Sequence, residues 1–92
     1  MTVNLRNFEK DPDAIIDYSI DWSDWLQSDT ISTGTWVVPA GIIETQRVQT
    51  ESICTIYLSS GTAGNTYSVT NRITTANGRV NDQTIFIIVR NL

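Results

Sequence analysis

The sequence predicts an all-β fold, a two-sheet β-sandwich of six to seven antiparallel strands, from three observations. Thr, Ile and Val number 13, 12 and 7 of the 92 residues against four Leu and four Ala, and β-branched side chains favour strands over helices. Apolar and polar residues alternate one by one from Ile16 to Trp22, the period of a half-buried strand. Asn77-Gly78 lies between two long β-prone runs, 66–76 and 79–90, and is the strongest short-range signal for a hairpin. Short strands separated by turn residues, with no helical stretch of useful length, suit two packed sheets.

Residues 1–13 are expected to be an extended N-terminal arm that ends on the turn-forming Lys10-Asp11-Pro12-Asp13, with the sandwich domain in residues 14–92. In the first strand of the sandwich Ile16, Tyr18, Ile20 and Trp22 share one face, and Asp17, Ser19 and Asp21 the other. Residues 23–29 break the period and read as a turn or bulge. The next strand begins near Thr30 and runs through Trp36-Val37-Val38 until Pro39-Ala40-Gly41 stops it. Two more follow at 42–48 and 53–59, the latter alternating Cys54, Ile56 and Leu58 with Thr55, Tyr57 and Ser59, and residues 60–65 form a loop. If Asn77-Gly78 is a two-residue type I′ turn, in which both residues need positive φ, Tyr67 pairs with Ile88, Val69 with Phe86 and Asn71 with Thr84. That register turns Phe86 and Ile88 inward and leaves Ile85, Ile87 and Val89 on the outer face.

Composition argues against most chemistry. With no His and a single Cys, the chain lacks the residues of Ser/His/Asp and Cys/His catalysis, of Cys/His zinc sites and of an intrachain disulfide. No catalytic residue, cofactor or metal site is expected. A formal net charge of −4 and a pI near 4.4 disfavour nucleic acid, whose phosphates need clustered Lys and Arg. The longest apolar run, 85–89, is far short of the roughly 20 residues that span a bilayer, and residues 1–12 show no secretory pattern. Synthesis in a cytoplasm, with no membrane partner, is the expectation.

Seven of the ten acids fall in residues 1–30, but they lack the Asp-x-Asp-x-Asp-Gly spacing of a Ca²⁺ loop and diverge along a strand, so a solvated acidic face is the simpler reading. Asp17 and Asp21 would stand roughly 13 Å apart by strand rise, too far for a glycosidase pair. Trp22 shares the apolar face of its strand and reads as core, whereas Trp25, beside Asp24 in the broken stretch, is expected to be partly exposed. Cys54 reads as a small buried apolar residue.

The candidate interface residues are Ile85, Ile87 and Val89, which the register leaves outside, with Trp25 and with Val3, Leu5 and Phe8 of the arm. A domain of this size buries only about 60–65% of its unfolded surface, so further burial in an oligomer or a tight heteromeric contact would add stability. The alternative is that the arm folds back over the same row within one chain.

Three stretches carry a resemblance. They are Lys10-Asp11-Pro12-Asp13-Ala14 running into Asp17-Tyr18-Ser19-Ile20-Asp21-Trp22-Ser23-Asp24-Trp25-Leu26; Asp29-Thr30-Ile31 followed by Thr35-Trp36-Val37-Val38-Pro39-Ala40-Gly41; and Ser59-Ser60-Gly61-Thr62-Ala63-Gly64-Asn65-Thr66-Tyr67-Ser68-Val69-Thr70-Asn71-Arg72-Ile73-Thr74-Thr75. Together, across about residues 10–90, they resemble small tailed-phage virion proteins of the fibre-tail adaptor type. The resemblance implies an immunoglobulin-like sandwich without enzymatic activity, located in the virion and acting by contact with other virion proteins of the fibre, tail, neck or head-tail connector. It also implies a tyrosine corner at Gly64-x-x-Tyr67-x-Val69, in which a Tyr hydroxyl bonds back to the preceding loop. A capsid decoration protein and a carbohydrate-binding sandwich module with exposed aromatics are the rival expectations.

Overall fold

The computed structural model describes residues 6–92. Seven strands form two sheets: β1 (Arg6–Lys10), β2 (Ile16–Asp21), β3 (Ile31–Val37), β4 (Ile42–Gln49), β5 (Ile53–Ser60), β6 (Thr66–Thr75) and β7 (Val80–Val89). One sheet has the order β1-β7-β6-β3 and the other β2-β5-β4. The all-β sandwich expected from composition and alternation is therefore the fold.

Each sheet turns one row of side chains into the gap between them. Tyr18, Ile20, Ile42, Cys54, Ile56 and Leu58 come from the three-stranded sheet and Ile31, Tyr67, Val69 and Ile73 from its partner. Trp22 and Leu26 complete the core from the connection after β2, where residues 23–26 form a one-turn helix, α1 (Ser23–Leu26). The Asp21 carboxylate accepts the Ser23 N–H at 2.9 Å and so starts that turn, while Gln27 ends it with a positive φ of 57°.

The final hairpin departs from expectation by one residue. Thr75 N donates to Arg79 O at 2.8 Å and Gly78 N to Thr75 O at 3.0 Å, so the loop is the three residues Ala76, Asn77 and Gly78. Gly78 has φ 84°, as expected, whereas Asn77 is not among the residues with positive φ. A type I turn closed by a left-handed glycine asks for positive φ only at that glycine, and Ala76 fits its first position. The observed pairs are Tyr67 with Ile87, Val69 with Ile85 and Asn71 with Gln83. Because side chains alternate with period two, the one-residue change exchanges the faces of β7. Ile85, Ile87 and Val89 are at most 1% exposed and belong to the core, while Phe86 and Ile88 are half-buried on the outer side. The outward placement of the Ile85, Ile87, Val89 row is thus corrected. Asp82 marks the reason: it has the parity of Phe86 and Ile88, so burying their row would have carried a carboxylate toward the core.

Residues 6–10 of the expected arm are part of the sandwich. β1 pairs parallel to β7, Phe8 beside Ile87 and Lys10 beside Val89, and this turns both side chains toward the gap. Phe8 packs on Tyr18 with ring centroids 5.0 Å apart, against the edge of the core.

Candidate interaction surfaces

Most chemistry-bearing side chains in the described residues are committed to internal links. At the centre, Trp22 Nε1 donates to Asn71 Oδ1 at 2.9 Å, and Asn71 Nδ2 donates to Thr35 O at 3.0 Å. This joins the two sheets through a fully buried amide, and Cys54 lies beside it with its thiol pKa pushed up by burial against a smaller opposing effect of Asn71. The alternation identified Trp22 as core but gave no hint that Asn71, 0% exposed, would be its partner.

At one end of the sandwich α1 is tied to the β6–β7 hairpin. Arg79 Nε donates to Asp29 Oδ2 at 3.1 Å and Nη2 to Leu26 O at 3.1 Å, and its guanidinium lies 4.2 Å from the Trp25 ring centroid. Asp29 also accepts the N–H groups of Thr30 and Asn77 at 2.8 and 3.3 Å. Hydrogen bonds, foremost from the Thr75 hydroxyl, hold its carboxyl below the usual range against the opposing effect of burial. Trp25 is half-buried, its ring in an edge-type contact with Trp22 at 5.6 Å between centroids and Arg79 over it, so most of its surface is engaged within the chain.

At the other end the Tyr67 hydroxyl accepts the Thr62 N–H at 2.9 Å, which is the tyrosine corner. The loop below it is tight: Gly61 has φ 97°, and a Cβ there would stand 2.7 Å from Val89 Cγ2. Lys10, 1% exposed, donates to Ser60 O and Asp11 O, both at 2.8 Å, and so fastens β1 to the start of that loop. Burial lowers its pKa, with Asp11 and Asp13 acting the other way.

The candidate interface residues are therefore not brought together as a surface. Ile85, Ile87 and Val89 are core, Trp25 and Phe8 pack against it, and Val3 and Leu5 lie outside the described residues. Among the described residues no three His, Cys, Asp or Glu side chains gather as a metal site would require, and no helix is long and apolar enough to cross a membrane.

What remains available for contact is the outer face of each sheet. On the four-stranded sheet the outward positions hold exposed Val37 and Val80 and half-buried Phe86 and Ile88 among hydroxyls and paired charges: Thr70 and Thr84 hydrogen-bond at 2.9 Å, Arg72 is ion-paired to Asp82 at 2.8 Å, and Arg90 to Glu9 at 3.0 Å. The three-stranded sheet presents Ile43, Val48, Ile53 and Tyr57 beside Asp17 and Asp21. Sequence reading missed this face because β4 carries few apolar residues, and its bulge between Glu44 and Gln46 obscures the alternation.

No curated protein matches the chain. Two solved structures are similar to it in fold. The PKD domain of the KIAA 1837 protein aligns with a TM-score of 0.57 and 18% identity, over 94% of this chain and 81% of that one. The 2,6-sialyltransferase of Photobacterium sp. JT-ISH-224 aligns with a TM-score of 0.53 and 10% identity, over 98% of this chain but 18% of that one. Both likenesses speak to the immunoglobulin-like sandwich alone. A family model, described as the podophage GP4 fiber-tail adaptor protein gp77, matches residues 10–88, nearly the whole folded region. The chain belongs to this family of podophage fibre-tail adaptor proteins, structural components of the virion.

Proposed function

We propose that the protein is a non-enzymatic adaptor that seats a fibre or neck component on the tail or head-tail connector of the phage particle. The observation that carries this reading is the family match across residues 10–88. The fold suits the task, because polar links at the centre and at both ends make the sandwich a rigid spacer whose surfaces meet partners without rearrangement. Its partners are other virion proteins, and its site of action is the virion after synthesis in the host cytoplasm. The homo-oligomer or tight heteromeric contact is made through another surface than the Ile85, Ile87, Val89 row, which the core takes up.

The test is a nonsense mutation in the gene for this chain, followed by electron microscopy and protein analysis of purified particles. Heads and tails that assemble but lack the fibre or neck component support the adaptor. Particles complete in both, or a label on this chain that decorates the capsid shell, overturn it.

A further inference from the structure

We infer that Asn77-Gly78, at the tip of the β6–β7 hairpin, is a modification site at which the chain deamidates itself, and that the product loosens the rim clamp of Asp29 and Arg79. This does not depend on the adaptor reading. Asn77 is followed by Gly, and no other asparagine of the chain is. A side chain on the following residue crowds the backbone nitrogen that must attack; Gly78 has none, and the place a Cβ would take there has no other part of the described chain within 4 Å. Residues 76–79 are all exposed, so water and hydroxide reach both groups. Other asparagines are less open to the reaction. Asn71 is 0% exposed with its amide bonded to Trp22 and Thr35, and Asn81 lies within β7, its Oδ1 accepting the Asp82 N–H at 2.9 Å. Asn65 is exposed in a loop but precedes the β-branched Thr66.

The reaction needs only solvent. Hydroxide takes the proton of the Gly78 amide, and the nitrogen attacks Asn77 Cγ. The new N–Cγ bond closes a five-membered succinimide while the Cγ–Nδ2 bond breaks and Nδ2 leaves as ammonia with a proton from water. Water then opens the imide without any change of oxidation state. Breaking the N–Cγ bond gives aspartate on the original backbone, and breaking the bond from that nitrogen to the main-chain carbonyl carbon gives isoaspartate, whose backbone runs through Cβ and Cγ. In the folded chain the Gly78 N–H donates to Thr75 O at 3.0 Å, so attack proceeds from openings of the tip, where exposed bonds separate readily.

The consequence follows from what the tip holds. Asn77 N–H donates to Asp29 Oδ1 at 3.3 Å, and Arg79 Nε reaches Oδ2 at 3.1 Å. Either product adds a carboxylate on a residue already bonded to the Asp29 side chain, itself 3% exposed, and like charges so placed repel. Isoaspartate also lengthens the loop between Thr75 and Arg79, which is closed by Thr75 N to Arg79 O at 2.8 Å and Arg79 N to Thr75 Oγ1 at 3.0 Å.

The experiment keeps the purified full chain in warm, mildly alkaline buffer beside the same chain unfolded in guanidinium chloride, and follows both by peptide mass mapping and isoaspartyl methyltransferase labelling. The mass gain of amide-to-acid exchange, with isoaspartate, is expected at 77 ahead of every other asparagine. The folded-chain rate is expected to lie within about a hundredfold of the unfolded one and to rise in proportion to hydroxide. The aged chain is expected to melt below the fresh one, while Asn77→Gln, which would have to close a six-membered ring, keeps its mass at that peptide and its Tm. A slower folded-chain rate, or earlier reaction at Asn65 or Asn81, overturns the site. Deamidation at 77 with an unchanged melting curve, or an equal fall of Tm in aged Asn77→Gln, overturns the coupling to the clamp.

Discussion

Two tryptophans three residues apart anchor polar links of opposite character. Trp22 is 1% exposed, and its indole N–H meets an amide that is itself fully buried. Trp25 is half-buried, and the Arg79 guanidinium above it, on a side chain 42% exposed, reaches the Asp29 carboxylate, which is only 3% exposed. Where water cannot substitute, each member of a link leaves its partner stranded when it is lost, so the central bridge acts as a unit. At the rim water reaches the Arg79 side chain and replaces its contact when it is lost, while the buried Asp29 carboxylate keeps the N–H groups of Thr30 and Asn77 as donors. The centre holds the sheets together; the rim sets where α1 and the hairpin tip lie.

The strongest way to break this contrast is a charge at the centre. Ile87→Lys places an ammonium at a position 0% exposed, where no carboxylate pairs with it. Such burial costs several kcal/mol, against a total stability of about 5–15 kcal/mol for a domain. The variant is expected to lose cooperative melting by circular dichroism; a folded monomer with wild-type stability would return the row to the surface.

A smaller loss sharpens the same side. Asn71→Ala leaves the Trp22 indole N–H and the Thr35 carbonyl without their partner and is expected to cost about 2–4 kcal/mol in chemical denaturation, with Tm falling about 4–8 °C for each kcal/mol. Combining Asn71→Leu with Trp22→Phe removes both polar groups of the pair, and the double variant is expected to be more stable than the sum of the two single losses predicts. Simple additivity would show that the bridge is not a unit.

The mildest effect belongs to the rim and appears with pH. Asp29 has its pKa lowered in the folded state, so the unfolded chain binds the proton more readily and stability rises with pH. Its contribution is complete above the unfolded carboxyl value of about 3.9 and is lost as pH falls through the lower folded value. Tm measured from about pH 6 down to 2 is expected to fall more steeply for the wild type than for Asp29→Asn. Parallel curves would mean that the Asp29 link contributes nothing to folding.

The alternation from Tyr18 to Trp22 and from Cys54 to Leu58 foretold which side chains enter the core, because that pattern is written residue by residue along a strand, whereas Ile16 at its start is 38% exposed. The Asn77-Gly78 signal found the hairpin and its left-handed glycine, yet a two-residue and a three-residue loop can be drawn through the same letters. The candidate interface inherited that ambiguity, since a shift of one residue exchanged core for surface along all of β7. Asp82 and its pairing with Arg72 were the available cue, a charge that belongs with the outward row.

Composition and periodicity thus sufficed for the sandwich, for its strands from β2 to β7 and for the identity of most core residues, all of which follow from local preference and the burial of apolar surface. Partners across space could not be read that way. The addition of β1 beside β7, the meeting of Trp22 with Asn71, and the clamp of Arg79 on Asp29 join residues 79, 49 and 50 positions apart. No local rule encodes such separations. They are selected when two sheets close and every buried donor must find an acceptor within reach, a condition that exists only in the assembled fold.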